Sequence, residues 1–153
     1  MNDRIVCLDV GDARIGVAVS DETGTIASPV EVIMRIGWGP DTRRIREICR
    51  RYDTSLILSG LPRNMDGSEG FQAEKVRALC HQLEEAGLRV RYEDERLTTV
   101  LAESALIESG VRREKRRTKV DKVAAAVILQ SWLDAHPGGG TQLWEEDVHE
   151  MDS

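Results

Sequence analysis

The feature that most constrains the fold lies in residues 5–16, where an apolar run carries one carboxylate, Asp9, to its end and then breaks at Gly11. Residues 4–10 and 14–20 are both rich in Ile and Val, and the short break between them is typical of an antiparallel hairpin. Asp before Gly is a common turn signal. Asp9 therefore indicates a functional site only if other acids of the chain reach the same place.

The hydrophobic period changes after this hairpin. Residues 25–33 predict a third strand, in which Pro29 favours an edge position or an interruption. Helical spacing of apolar residues then alternates with short apolar runs. The pattern predicts helices and strands in the order α, β, α, β, α, α, at residues 40–52, 55–59, 69–86, 88–92, 98–108 and 118–135. Ser68 is the predicted N-cap of the helix at 69–86.

This order describes an α/β fold with one mixed sheet. Three antiparallel strands come first, and right-handed crossovers then add two parallel strands on the free side of the first strand. The predicted strand order is about 3-2-1-4-5, with helices on both faces. Ligands bind beyond the carboxyl ends of such strands. Asp9, the polar loop 60–70 and Glu95 all fall at that rim.

The length and composition limit the class of protein. A chain of 153 residues corresponds to one domain. No apolar run approaches the roughly 20 residues that span a bilayer, and the first residues lack the form of a signal peptide. We therefore expect a cytoplasmic protein without a membrane partner. The cysteines are odd in number and far apart, which favours buried thiols over disulfides or a zinc site: Cys7, Cys49 and Cys80.

The net charge of −6 is unevenly distributed. Residues 136–153 contain five acids and no Lys or Arg, so 22 acidic and 21 basic residues remain in the rest of the chain. Residues 112–119 hold six cations, and such local density favours phosphate binding more than the total charge opposes it. We expect a folded domain at 1–135 and an acidic, disordered tail at 136–153 without a role in the chemistry.

Three acids are expected near one another: Asp9, Glu95 and, in the first turn of the last helix, Asp121. Clustered carboxylates raise each other's pKa and normally need a cation. Hard oxygen ligands suit Mg²⁺ or Mn²⁺, and two such ions could activate a water and stabilise a leaving oxygen. Each acid also has a structural alternative, since Asp121 follows Thr118 at capping-box spacing and Glu95 could pair with a neighbouring arginine.

Four motifs occur in order: D-V-G-D-A-R-I-G at Asp9, G-L-P-R-N-M-D-G-S at Gly60, D-E-R-L-T-T at Asp94 and V-D-K-V-A-A-A at Val120. Together they resemble the YqgF/RuvX family of the RNase H-like fold, whose members are named as Holliday-junction resolvases or pre-16S rRNA nucleases. The resemblance implies that Asp9, Glu95 and Asp121 form the metal-binding triad of an RNase H-like nuclease domain. Asp12 departs from the small polar residue common at that position.

Several other residues are candidates for nucleic-acid contact. Arg14 and Arg96 lie beside the acids in sequence, and arginine suits bidentate phosphate contact. Asn64 belongs to a polar loop, where a turn and a substrate contact are equally supported. The basic segment before Asp121 could be a mobile flap over the site or a solvated loop. The full candidate set is Arg14, Asn64, Arg96, Thr98, Arg113, Arg116, Arg117 and Lys119.

These observations favour a metal-dependent endonuclease acting on structured nucleic acid. The family resemblance favours ribosomal RNA precursor, at the pre-16S 5′ end, as the substrate. A four-way DNA junction is the alternative, and its symmetric cleavage would require a homodimer. A different class stays open as well, a non-catalytic nucleic-acid or nucleotide-binding module, because the first motif also resembles the phosphate-binding hairpin of the actin and sugar-kinase superfamily.

Overall fold

The computed structural model describes residues 3–94 and 113–145, and for residues 113–123 it describes the backbone alone. The predicted helix at 98–108 lies outside these ranges. None of the described helices combines the length and apolar character needed to cross a membrane. The elements are β1 (Ile5–Val10), β2 (Arg14–Ser20), β3 (Ala27–Met34), α1 (Trp38–Arg51), β4 (Leu56–Leu61), α2 (Phe71–Glu85), β5 (Arg89–Asp94), α3 (Arg113–Ala135) and a 3₁₀ turn (Pro137–Gly139).

The five strands form one sheet in the order β3-β2-β1-β4-β5. β1 pairs antiparallel with β2, and β2 pairs antiparallel with β3. β1 and β4 are parallel, as are β4 and β5. The predicted α/β fold and strand order are confirmed, with β1 central. Pro29 lies in the edge strand β3, as its missing N–H requires, and the register of β2 against β3 shifts between Val17 and Ala18.

Each face of the sheet has its own buried core. Alternate side chains of β1 point to opposite faces. Val6, Leu8 and Val10 pack with the apolar side chains of α1 and α2, whereas Ile5 and Cys7 pack with those of α3. The three cysteines are buried and unbridged, as predicted. Burial raises the pKa of the Cys49 and Cys80 thiols to about 11.

Some predicted boundaries are wrong. Ser68 does not cap α2, which begins after Gly70 without a side-chain cap, because the Ser68 N–H and hydroxyl bind Asp66 instead. α3 includes residues from Arg113 onward, so residues 113–119 are helical rather than a loop or flap. The buried face of α3 is formed by apolar side chains at helical spacing: Ala124, Ala125, Ile128, Leu129, Trp132 and Leu133.

The segment after α3 is packed against the domain. The Trp132 indole N–H donates to the Gly139 carbonyl at 2.8 Å, and the His136 ring stacks on Trp132 with centroids 3.8 Å apart. Trp144 is 2% exposed and donates its indole N–H to the Ile57 carbonyl at 3.1 Å. The prediction of a free tail from residue 136 is therefore wrong for residues 136–145. Residues 146–153 lie outside the described ranges.

Gly24 is expected to tolerate no side chain. Its φ is +68°, and an added Cβ would lie 2.4 Å from the carbonyl carbon of Gly138. Gly87 is a matched control, since its φ is +96° but a Cβ there meets nothing within 4 Å. We expect Gly87→Ala to cost about 1–2 kcal/mol of unfolding free energy from backbone strain alone. Gly24→Ala should cost about 1–3 kcal/mol more, because the backbone must shift. Equal losses in urea denaturation would contradict this packing.

Asp21 is expected to make stability depend on acidic pH. Its carboxylate accepts the Ile26 N–H, the Thr23 hydroxyl and the Thr25 N–H, which hold its pKa well below the ordinary 3.8. The unfolded chain therefore binds this proton first, and the stabilisation present above about pH 4 is lost as the pH falls. The difference in unfolding free energy between wild type and Asp21→Asn should therefore shrink as the pH falls from about 4 to about 3. A difference that stays constant from neutral pH to about pH 3 would disprove this.

Candidate active site

Asp9 is the penultimate residue of the central strand β1. Its neighbours Leu8 and Val10 pack on the α1/α2 face, and Cys7 packs on the α3 face. The alternation of side chains therefore directs the Asp9 carboxylate to the α3 face. The residue is half-buried, in contrast to the fully buried apolar residues earlier in the strand. The first predicted acid thus lies at the carboxyl end of the strand, where a ligand can reach it.

Glycines flank Asp9 on both neighbouring strands. Gly16 of β2 is its direct antiparallel partner. In β4, Ser59 pairs with Leu8, so the next residue, Gly60, is level with Asp9. Both glycines are buried. Because neither has a side chain, the sheet leaves space on each side of the carboxylate. The room beside Asp9 therefore depends on two registers, that of the β1–β2 hairpin and that of the parallel pair β1–β4.

Glu93 is a second acid on the same row of the sheet. It pairs with Gly60. Tyr92 faces α2, where the Arg77 guanidinium lies 4.6 Å from its ring centroid. Arg91 faces α3, with its guanidinium 5.5 Å from the Trp132 centroid. Glu93 therefore lies on the α3 face, with Asp9. The predicted strand at 88–92 stops one residue before Glu93, whereas β5 continues to Asp94. The alternation of Arg89, Val90, Arg91 and Tyr92, carried one residue further, is the signal that identifies Glu93.

The direction of α3 brings its first half toward Asp9. Gly139, in the 3₁₀ turn that follows this helix, lies beside the start of β1, because a Cβ built on it would be 3.8 Å from Ile5 Cδ1. α3 therefore runs antiparallel to β1, and its earlier turns lie toward the carboxyl end of that strand. Position 121 is one turn before Ala125, which is fully buried against the sheet. The backbone placement is thus compatible with the predicted role of Asp121.

One predicted acid and two predicted nucleic-acid contacts lie outside the described residues: Glu95, Arg96 and Thr98. The basic residues of α3 are described by backbone only, within its first two turns: Arg113, Arg116, Arg117 and Lys119. In the described ranges with their side chains, no group of three or more His, Cys, Asp or Glu is arranged to hold a metal ion. Of the predicted triad, only the Asp9 side chain falls within those ranges.

The Asp12 carboxylate is bound by two side chains of α2. It contacts the Lys75 ammonium at 3.0 Å and accepts a hydrogen bond from the Gln72 amide at 3.1 Å. The contact with Lys75 lowers the pKa of Asp12 most, and the hydrogen bond from Gln72 lowers it further. The turn is fixed further by Arg35, whose guanidinium donates to the Gly11 carbonyl at 2.9 Å. The unusual acid of the first motif therefore fastens the turn to α2.

Arg14 and Asn64 differ in their surroundings. Arg14 begins β2 and lies on the same face as Gly16 and Ala18, which is the face of Asp9. Asn64 closes its own loop, because its N–H donates to the Ser68 carbonyl at 2.9 Å and its side-chain amide donates to the Ser68 hydroxyl at 3.0 Å. Its turn role is present in the structure. A nucleic-acid contact of either residue stays a prediction.

A family model described as "Holliday junction resolvase", RuvX, matches residues 3–135. The chain belongs to the RuvX family. Among curated RuvX relatives, a protein of Clostridioides difficile (strain 630) named "Putative pre-16S rRNA nuclease" is 45% identical over 135 residues, covering 88% of this chain and 96% of the relative. A protein of the same name from Clostridium novyi (strain NT) is 45% identical over 133 residues, covering 86% and 98%.

Solved structures share the fold at low sequence identity. RuvC of T. thermophilus, in complex with a Holliday junction substrate, has a TM-score of 0.55 and 17% identity, covering 88% of this chain and 95% of that one. The Fowlpox virus resolvase in complex with junction DNA has a TM-score of 0.52 and 12% identity, covering 86% and 97%. The family match and the nuclease relatives identify this RuvX chain as a phosphodiester hydrolase.

Proposed function

We propose that this chain is a metal-dependent endonuclease that hydrolyses a phosphodiester bond in the precursor of 16S ribosomal RNA. The observation that carries the proposal is the position of Asp9, half-buried at the carboxyl end of the central strand and level with a glycine on each side. Such a carboxylate has room beside it for a ligand, and the RuvX membership makes a phosphodiester the bond to be cleaved.

The donor set fits a hard divalent cation. Asp9, Glu95 and Asp121 would hold Mg²⁺ or Mn²⁺ through carboxylate oxygens, which these ions prefer. Glu93 offers a further carboxylate on the row of Asp9. When bound, such an ion lowers the pKa of a coordinated water and neutralises charge that develops on the phosphate. The residues of the chain supply orientation, and the glycines leave the phosphate space to approach.

The remaining predicted contacts would hold the nucleic acid. Arg14 lies on the face of Asp9, and arginine binds phosphate through two parallel hydrogen bonds. We assign backbone-phosphate contacts to Arg96, Thr98, Asn64 and the basic first turns of α3. The choice of ribosomal RNA precursor is supported by relatives that are 45% identical over almost their whole length and carry that name. The resolvases bound to DNA junctions share only the fold.

A cleavage panel tests the proposal. The purified full chain is incubated with precursor 16S rRNA, unstructured RNA and a four-way DNA junction, each with Mg²⁺, Mn²⁺ or EDTA. We expect cleavage of the precursor at a defined position, and none in EDTA. Symmetric cleavage of the junction, with no cleavage of the RNA substrates, would contradict the proposed substrate. Branched DNA would then be the substrate, and the active form would be a homodimer. Tight binding without turnover of any substrate would instead identify a non-catalytic nucleic-acid-binding protein.

A further inference from the structure

Large exposed apolar side chains are concentrated at one end of the sheet. The described residues contain six such side chains, and five of them lie at the end where β1, β3 and β4 finish. β3 runs parallel to β1 because each is antiparallel to β2. We call these five the rim surface: Met34, Ile36, Trp38, Met65 and Phe71, which are 48–91% exposed. Ile26, the sixth, precedes β3 and lies at the opposite end. Such a concentration marks an interaction site.

Cations lie against both aromatic rings of the rim surface. The Arg35 guanidinium is 5.6 Å from the Trp38 ring centroid, and the Lys75 ammonium is 4.6 Å from that of Phe71. A depression of about 360 Å³ beside Trp38 is lined by Ile36, Arg35 and Lys75 and by two carboxylates, Asp12 and Asp41. Asp12 pairs with Lys75 at 3.0 Å, and Asp41 pairs with Arg35 at 3.4 Å. Exposed aromatic rings are a component with which proteins bind unpaired nucleotides, since the rings stack on bases whatever their sequence.

The rim surface is joined directly to the turn that follows Asp9. Arg35 donates from its guanidinium to the Gly11 carbonyl and from its N–H to the Ala13 carbonyl, both at 2.9 Å. Lys75 binds Asp12 in the same turn. A strand that passes the Asp9 site and crosses this turn therefore reaches the rings of Trp38 and Phe71. The surface is continuous with the site of the proposed reaction.

We propose that the rim surface binds unpaired bases of the substrate strand next to the phosphate that is cleaved. The proposal rests on the proposed nuclease function and specifies its substrate as a nucleic acid with a single-stranded stretch beside the cleavage point. Exposed rings stack on any splayed base, whereas the bases of an intact duplex are already paired and stacked on one another. The surface thus selects the strand state rather than the base sequence.

Tryptophan fluorescence reports this contact selectively. The chain has three tryptophans, and Trp132 and Trp144 are 5% and 2% exposed, whereas Trp38 is 48% exposed. The full chain carrying Asp9→Asn is titrated in EDTA with single-stranded RNA of about 12 nucleotides and with a blunt duplex of the same sequence. We expect the single strand to quench the fluorescence and the duplex to leave it unchanged. Trp38→Ala should remove the quenching.

Affinity measurements on two more variants complete the test. Phe71→Ala should weaken single-strand binding by about 5- to 150-fold, the range expected for losing one stacked base. Ile26→Ala is the matched control, because it truncates an exposed apolar side chain at the opposite end and should leave binding unchanged. Equal quenching by the duplex, or unchanged binding by Phe71→Ala, would overturn the proposal. A dimer in sedimentation that Trp38→Ala dissociates would overturn it as well, and would assign the surface to contact between copies.

The two proposals fail separately, because the binding experiment needs no turnover. Quenching by single strands with no cleavage of any substrate would keep single-strand binding at the rim surface and reject the nuclease proposal. Cleavage of intact duplex and single-stranded substrates at equal rates by the wild-type chain would keep the nuclease and reject the role of the rim surface.

Discussion

Asp9→Asn is expected to lower the rate of cleavage by about 10³-fold or more. An amide offers a metal ion one oxygen ligand and no negative charge, so it binds a divalent cation far more weakly than a carboxylate does. The loss corresponds to about 4 kcal/mol of transition-state stabilisation, within the several kcal/mol that a bound ion supplies. The measurement is the initial rate on precursor 16S rRNA under saturating Mg²⁺, compared with that of the wild-type chain.

The same substitution should leave the fold intact. Asp9 is half-buried at the end of β1, and the glycines beside it leave room for an isosteric amide. The melting temperature should therefore stay close to that of the wild type. Asp134→Asn is the matched control, since Asp134 is exposed in the last turn of α3 and bonds only to Gln130 among the described contacts. Full activity of purified Asp9→Asn, with contaminating nuclease excluded, would remove Asp9 from the site.

Local hydrophobic period was enough to predict the sheet and the place of Asp9. The strands around residues 5–10 and 14–20 alternate or run apolar without interruption, and their short connection permits only antiparallel pairing. The handedness of crossovers then leaves few positions for the two later strands. The strand order 3-2-1-4-5 followed, and with it the prediction that Asp9 lies at the carboxyl edge of the central strand.

Features that depend on distant residues were not predictable in this way. Gly60 became part of the site only through its register against β1, and Glu93 only because β5 continues past Tyr92. Ser68 had the sequence context of a helix cap, yet Asp66, two residues earlier, accepts both of its hydrogen bonds. Strand ends and caps are decided by such competing contacts, which a local pattern does not contain.

Trp144 shows the same limitation most clearly, because its surroundings in sequence are polar. It follows three glycines and precedes a run of acids, which predicts a free tail. Its indole nevertheless packs edge-on against Trp132, with centroids 5.5 Å apart, and donates to the Ile57 carbonyl of β4. The α3 face of the sheet is thus closed partly by residues beyond the predicted domain boundary at 135.

Trp144→Ala is accordingly expected to lower the free energy of unfolding by about 3–5 kcal/mol, the usual cost of truncating a large buried aromatic side chain. Domains of this size have about 5–15 kcal/mol in total, so the variant should approach the limit of stability at growth temperature. Urea denaturation followed by circular dichroism measures the change. A chain ending at Ala135 should lose at least as much, because it lacks the same indole.

Two variants show whether this cost comes from burial. Trp144→Phe keeps most of the apolar volume but lacks the N–H that binds the Ile57 carbonyl, so it should lose about 1–3 kcal/mol. Trp38→Ala removes an indole that is 48% exposed and should change the unfolding free energy by less than about 1 kcal/mol. If Trp144→Ala unfolded at the same urea concentration as Trp38→Ala, the C-terminal segment would not belong to the core. The large difference expected between the two tryptophans follows from the burial of Trp144 and from its hydrogen bond to Ile57.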